Sequence, residues 1–188
     1  MKIKNIIILL LILPCLVKAQ LATTSPYSRF GIGELTPMNF NHLQHMGNLS
    51  ASFRDPYMSN ITNPASLASL RATAVDVSVF SSFQTLNDGT NQNTSFNGNL
   101  EYLSLAFTTK NPYNQLFEET KSDFSHGMAF TLMPHSLVGY DIVSNSDLPD
   151  VGNVTTLNVG SGGTNKFIIS NGVKYKDFSV GSNTIIID

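Results

Sequence analysis

From Ala72 onward the chain repeats one pattern, in which apolar and small polar residues alternate over runs of about ten residues or more, each closed by a turn or a polar stretch. Period two sends successive side chains to opposite faces of a strand, so every run is a two-faced ribbon. Val75, Val77 and Val79 oppose Asp76, Ser78 and Ser82 in the first run, 74–83, and Leu103, Leu105 and Phe107 oppose Tyr102, Ser104, Ala106 and Thr108 in the second, 96–109. A third covers 127–133, meets Pro134 and resumes over 137–142, where a proline inside a strand implies a bulge or an edge. Three more follow at 153–159, 166–175 and 178–187. The connections are Asn87-Asp88-Gly89, the polar stretches Lys110–Ser125 and Val143–Asp150, a tight turn at Gly160-Ser-Gly-Gly-Thr164, and Lys176-Asp177. The last run reaches Asp188, so we read six strands as the front part of a larger sheet.

Such lengths suit a tilted membrane strand better than an average soluble one. Three further features agree with that reading. Ser78, Ser82, Ser104, Thr108, Ser179 and Ser182 give one face the small hydroxyls of a wet lumen. Phe83, Phe96, Phe107, Tyr140, Tyr175 and Phe178 fall near run ends, where interfacial aromatics belong. Charge is sparse in the strands and gathers in the connections. The fold expected is all-β, the N-terminal portion of a transmembrane antiparallel β-barrel. A secreted soluble β-sandwich that binds a surface ligand shares the alternation and stays open.

The first 19 residues carry Lys2 and Lys4, an apolar stretch from Ile6 to Leu13, and Val17 and Ala19 at the small-residue positions of a cleavage site. The apolar stretch falls short of the roughly 20 residues of a spanning helix. It reads as a secretory signal peptide cut between Ala19 and Gln20, an address for export, which for a membrane barrel means the cell outer membrane. Cys15 follows Pro14 rather than the small residue that lipid attachment wants, so lipidation is not expected. The mature chain then holds no cysteine, which removes disulfide scaffolds and thiolate metal sites. A net charge of −2 and 13% charged residues exclude a basic nucleic-acid-binding face.

Residues 20–71 punctuate too often with Pro and Gly for one long helix or strand. Short helical pieces are expected near 41–46 and 64–70, the second because Pro64 suits a first helical turn and Asn63 before it turns extended.

Several short motifs carry a resemblance: Ser25-Pro-Tyr-Ser-Arg-Phe-Gly-Ile-Gly33, Met46-Gly47, Asn63-Pro-Ala-Ser-Leu67, Met133-Pro-His-Ser136 with Gly139-Tyr140, Gly160-Ser-Gly-Gly163 and Phe178-Ser-Val-Gly181. Together they resemble a group of Bacteroidetes outer-membrane proteins that is similar to the FadL-type (toluene-transport) family of hydrophobic-compound channels. The resemblance implies residues 20–71 as a plug or hatch inside a barrel of about fourteen strands, residues 72–188 as its first strands, and passive uptake of hydrophobic small molecules without a cofactor. Outer-membrane lipid and the barrel-insertion machinery are the partners implied. Substrate-path candidates on that reading are Phe30, Met46, Phe53, Asn63 and Pro64 in the plug and Phe80 facing inward from the first strand. The same residues also suit plain packing of plug against wall. Related barrels serve as structural or secretion-associated partners instead, a second reading that needs no transport.

No catalytic constellation emerges. His42 and His45 stand at i, i+3, but no acidic residue lies nearby in sequence, so no metal site is expected. His126 and His135 flank the third run and suit loop or interface positions. The Gly160–Lys166 stretch fails the phosphate-loop spacing and precedes no helix. No G-x-S-x-G elbow occurs, and Asp76 with Glu101 gives no flanking carboxylate pair. Glu101 shares the phase of the apolar face, so either it sits at a membrane edge or the strand changes phase around Gly98–Tyr102. The chain is not expected to be an enzyme.

Overall fold

A computed structural model describes residues 23–87, 92–109, 123–149 and 152–188. The signal peptide with its cleavage point, Asp88–Asn91 and most of the 110–125 connection lie outside the described residues. No described helix is long and apolar enough to cross a membrane.

Among the described residues one antiparallel sheet of six strands organises the chain, and it is not closed. Its members are β1 (Glu34–Leu35), β2 (Ala74–Asn87), β3 (Gln92–Thr108), β4 (Phe124–Leu148), β5 (Gly152–Tyr175) and β6 (Phe178–Ile187). Strands β2 to β6 pair in sequence order, each with the next, while β1 pairs with β4 alone. Residues 23–73 otherwise form 3₁₀ turns at Pro26–Arg29 and Pro64–Ser69 and a one-turn helix, α1, at Asn41–Gln44; α1 and the longer turn lie on one face of the sheet. Pro64 opens the longer 3₁₀ segment after an Asn63 that takes no helical conformation, as the local sequence requires.

The register turns the alternation into two chemically distinct faces. Val77, Leu103, Leu132, Phe167 and Ile186 align across all five long strands, and every one is exposed. The neighbouring row runs Val75, Leu105, Phe130, Ile169 and Thr184. Phe130 lies 6.0 Å from Phe107 and 6.2 Å from Phe167 between ring centroids, an aromatic cluster on this bare face. At one rim Phe124, Tyr175 and Phe178 pair in a line. The opposite face carries Ser78, Ser104, Ala106, Ala129, Thr131 and Ser170, all buried beneath the N-terminal segment. Leu67 and Leu70 pack there on Ala106 and Ala129. A second cluster joins Phe40, Leu43 and Ile61 of the segment to Tyr102, Met133 and Ile168 of the sheet.

Three sequence expectations need correction. Ser182 does not share a face with Ser179: it pairs with Asn171 in the row of Phe107 and Met128, on the bare face. Gly160–Thr164 is not a turn. The runs at 153–159 and 166–175 are a single strand, β5, which pairs with β4 without interruption from Gly152 to Tyr175. The reason lies across the ladder, where Pro134 produces the expected bulge between Pro134 and Ser136. Gly162 and Gly163 answer it with φ of +147° and +144°, a backbone only glycine adopts easily, and a β-carbon on Gly163 would strike the Ser136 carbonyl. Glycine-rich sequence here lets a strand pass an irregularity. Residues 143–148 are likewise strand rather than loop, held by pairing with 152–157. The Lys176-Asp177 turn falls where expected, with Lys176 at φ +53°.

Candidate functional site

The surfaces with functional content are the seat of the N-terminal segment, the clefts beside it and the bare apolar face. Three glycines build the seat. Gly127, Gly172 and Gly181 stand opposite one another on β4, β5 and β6, and the Pro64–Ser69 turn lies directly across them. A β-carbon at Gly127 would collide with the Leu67 carbonyl, at Gly172 with the Pro64 carbonyl, and at Gly181 with the Ala65 amide nitrogen. Backbone therefore meets backbone, with no side chain between. Ser125 Oγ donates to the Ala68 carbonyl at 2.7 Å, and Asn183 Nδ2 donates to the Ile61 carbonyl at 2.7 Å. Gly139 forms a smaller seat of the same kind, where Ser25 N–H donates to its carbonyl at 2.9 Å and its own N–H donates to buried Ser28 Oγ at 3.0 Å.

Asn60 knots the segment internally. Fully buried, it donates through Nδ2 to the carbonyls of Ser50 and Phe53 and accepts at Oδ1 from the amides of Thr62 and Asn63. Each polar valence of its amide is thereby used, which fixes the approach to Pro64.

Glu101 occupies the bulge residue of β3, because Ser78 pairs with Tyr102 and Val79 with Leu100. The phase change allowed for at 98–102 therefore occurs, and the carboxylate turns to the covered face. There Ser78 Oγ donates to Oε2 at 2.6 Å and Gln44 Nε2 donates to Oε1 at 2.7 Å. Next to it, the Tyr102 ring stacks on Phe40 at 4.4 Å and its hydroxyl accepts from the Asn41 amide at 3.0 Å. Strand β3 thus grips α1 twice.

Two open clefts flank this grip. One, about 400 Å³, lies between α1 and β2 and includes His42, His45, Tyr57, Ser59 and Asp76. Asp76 Oδ2 comes within 3.6 Å of His42 Nδ1, so an acidic neighbour absent from the local sequence is supplied by β2. Among the described residues no group of three or more His, Cys, Asp or Glu is placed to hold a metal ion. The second cleft, about 440 Å³, lies where β3 and β4 diverge and is lined by Leu35, Pro37, Phe80, Glu101, Met133 and Pro134 among others.

The six substrate-path candidates do not converge. Asn63 and Pro64 sit at the glycine seat, Asn63 Nδ2 donating to the Ala51 carbonyl at 2.7 Å. Phe53 packs beside the Phe40 cluster, and Phe80 alone lines the second cleft. Phe30 and Met46 are exposed, Phe30 under the Arg29 guanidinium at 5.4 Å. Sequence reasoning gave no site role to Gly127, Gly172, Gly181, Asn60 or Tyr102, although Gly181 ends one of the motifs and Tyr102 was set on the polar face of its run. Glycines inside otherwise regular strand runs were the available signal, since such glycines mark close backbone approach.

With this geometry in place, comparison with known proteins gives one result. A family model described as BamG matches residues 1–186, so the chain belongs to that family. The family is named for the barrel-assembly (BAM) complex, which relates the protein to the outer membrane. This result gives the FadL-type resemblance no support. No curated protein and no solved structure matches.

Proposed function

We propose, from the premise of BamG family membership, that the chain is plug and wall of an outer-membrane β-barrel that works as a structural partner of the barrel-assembly machinery. The observation that carries this reading is the pairing of a bare apolar face with a firmly seated segment on the opposite face. Phe124 to Leu132, Phe167 to Tyr175, Phe178 to Ile186 and Val75 to Phe83 each span nine residues of bare face. At about 3.3 Å per residue that is about 26 Å of strand, close to what a tilted membrane strand needs. The aligned Phe124, Tyr175 and Phe178 mark one edge of the band, as interfacial aromatics do.

A soluble sheet would have to bury those side chains, because an exposed face this rich in large apolar residues, interrupted by Asn171, Ser182 and Thr184, is otherwise an aggregation hazard. The covered face suits a barrel interior, with small and hydroxyl-bearing residues against an inserted segment. Backbone-on-glycine contact and a fully bonded Asn60 favour a static plug, which fits a scaffold better than a gate.

Depleting the protein in its own host tests the assembly role. The expected outcome is a fall in the outer-membrane amounts of unrelated barrel proteins and recovery of the protein with tagged barrel-assembly subunits. Normal barrel amounts together with no such recovery would reject it. Passive uptake of hydrophobic small molecules stays as a second reading on one observation, the second cleft, where Phe80, Leu35, Pro37 and Met133 give an apolar side opposite Glu34, Gln44 and Glu101. Replacing Phe80 with Asp should then lower hydrophobic-solute uptake at equal surface abundance, and unchanged uptake rejects that path.

A further inference from the structure

We propose that the open edge of β4 over Asp141–Asp147 receives, by strand addition, an extended basic segment of a barrel-assembly subunit. The proposal rests on the assembly role given above and adds the surface that would serve it. Strand β5 pairs with β4 along its whole length, which commits one edge. The other edge is filled stepwise. β3 takes Gly127–Leu132, β1 takes Ser136 and Leu137, and Ser25 with Ser28 takes Gly139. This edge already accepts added strand, in register, from the N-terminal segment.

Beyond Gly139 no described residue fills the edge, and the strand continues. Alternate residues of an antiparallel strand turn both N–H and C=O to the same side. Gly139 presents both to this edge, so Asp141, Val143, Asn145 and Asp147 do as well, and among the described residues none of them has a backbone partner there. Long naked edges are normally blunted by proline, lysine or a cover. Leu137–Leu148 contains no proline, and residues 136–165 contain no Lys or Arg.

The chemistry of the occupant follows from what the edge offers. Free backbone valences select an extended peptide, as in other cases of strand addition. Val143 and its partner Leu157, both 62% exposed, offer apolar contact, while Asp141 and Asp147 make the edge acidic, with no ion pair to either among the described residues. An alternating apolar segment with Lys or Arg near those two positions is the complement.

The test uses the full-length protein in its native outer membrane, with a tagged barrel-assembly subunit as the probe. Val143→Pro and Asn145→Pro each remove an N–H from the open edge while sparing the bonds to β5. Recovery should fall roughly tenfold, the effect of losing about one well-made contact. Val143→Thr keeps the N–H and should stay within about twofold on the same scale. If a proline variant loses outer-membrane abundance, the pair Asp141→Lys and Asp147→Lys reverses the charge without touching the backbone and should also lose recovery. A photo-cross-linking residue at Val143 should capture an assembly subunit. Full recovery of the proline or lysine variants at wild-type abundance, or cross-links only to a second copy of this chain, would overturn the proposal. Absence of recovery for the wild type would overturn the assembly role itself, and the docking edge with it.

Discussion

Replacing Gly172 with alanine adds one methyl group to the middle of the glycine seat. In an ordinary strand that change is stabilising by about 0.4–1 kcal/mol, because alanine restricts the unfolded chain and glycine weakens strands. Here the methyl would collide with the Pro64 carbonyl oxygen and lie against Ala68 N and Leu67 Cβ, at 3.1 and 3.2 Å. Neither the strand nor the 3₁₀ backbone can yield by rotating a side chain. The Pro64–Ser69 turn must lift, drawing fully buried Leu67 off Ala106 and Ala129. Overpacking of this kind costs about 1–3 kcal/mol, so the sign reverses relative to a normal strand site. For a protein of this size that is a midpoint lowered by roughly 2–12 °C.

Gly127→Ala and Gly181→Ala should behave alike, since both meet the same turn. Once one methyl has lifted the turn, a second meets less resistance. Double variants should therefore cost less than the sum of the singles. Thermal unfolding of the detergent-purified protein, followed by the band shift of heated against unheated samples, measures all of these. Limited proteolysis around 60–70 should report the lifted turn directly. Alanine variants at the three glycines that match or exceed wild-type stability, with unchanged proteolysis, would refute the seat.

Glu101→Gln should cost about 1–2 kcal/mol, because a neutral amide cannot accept from both Ser78 and Gln44 as the carboxylate does; urea unfolding measures it. Tyr102→Phe removes the acceptor for the Asn41 amide and should cost about 1 kcal/mol in the same assay while leaving the Phe40 stack in place. Met128→Arg, near the middle of the bare face, should cost about 2–4 kcal/mol in lipid, whereas Phe178→Arg at the rim should cost about 0–1 kcal/mol. Equal costs at the two depths, measured by reversible unfolding in vesicles, would remove the depth dependence on which a membrane reading rests.

Period-two alternation alone was enough to place Val75, Val77 and Val79 against Asp76 and Ser78, and Leu103 and Leu105 against Tyr102 and Ser104, on the faces the register gives them. Pro134 signalled its bulge because a missing N–H leaves few alternatives within a strand. The misplaced charge of Glu101 signalled another, since a carboxylate in phase with leucines has to be re-aimed. Gly160–Thr164 misled because turns and bulge-crossing strands both call for positive φ, and only the partner strand distinguishes them. The glycine seat was out of reach for a related reason. Gly127, Gly172 and Gly181 become one feature only when three strands are set in register, and no local window contains that register. Asp76 reached His42 in the same way, from another element. Phe30 and Met46 read as path residues from residue type, yet type says nothing of which side of the segment meets the sheet.

One measurement reaches the central claim, that the bare face meets hydrocarbon. The chain contains no tryptophan, so a single introduced indole reports alone. Phe130→Trp places it on the bare face among Phe107 and Phe167, and Tyr102→Trp places it beneath the N-terminal segment. In vesicles whose lipids carry bromine in the acyl chains, the indole at position 130 should be strongly quenched and the one at 102 spared. Equal emission from both positions, or a protein that stays monomeric in plain buffer with position 130 already dry, would contradict the account.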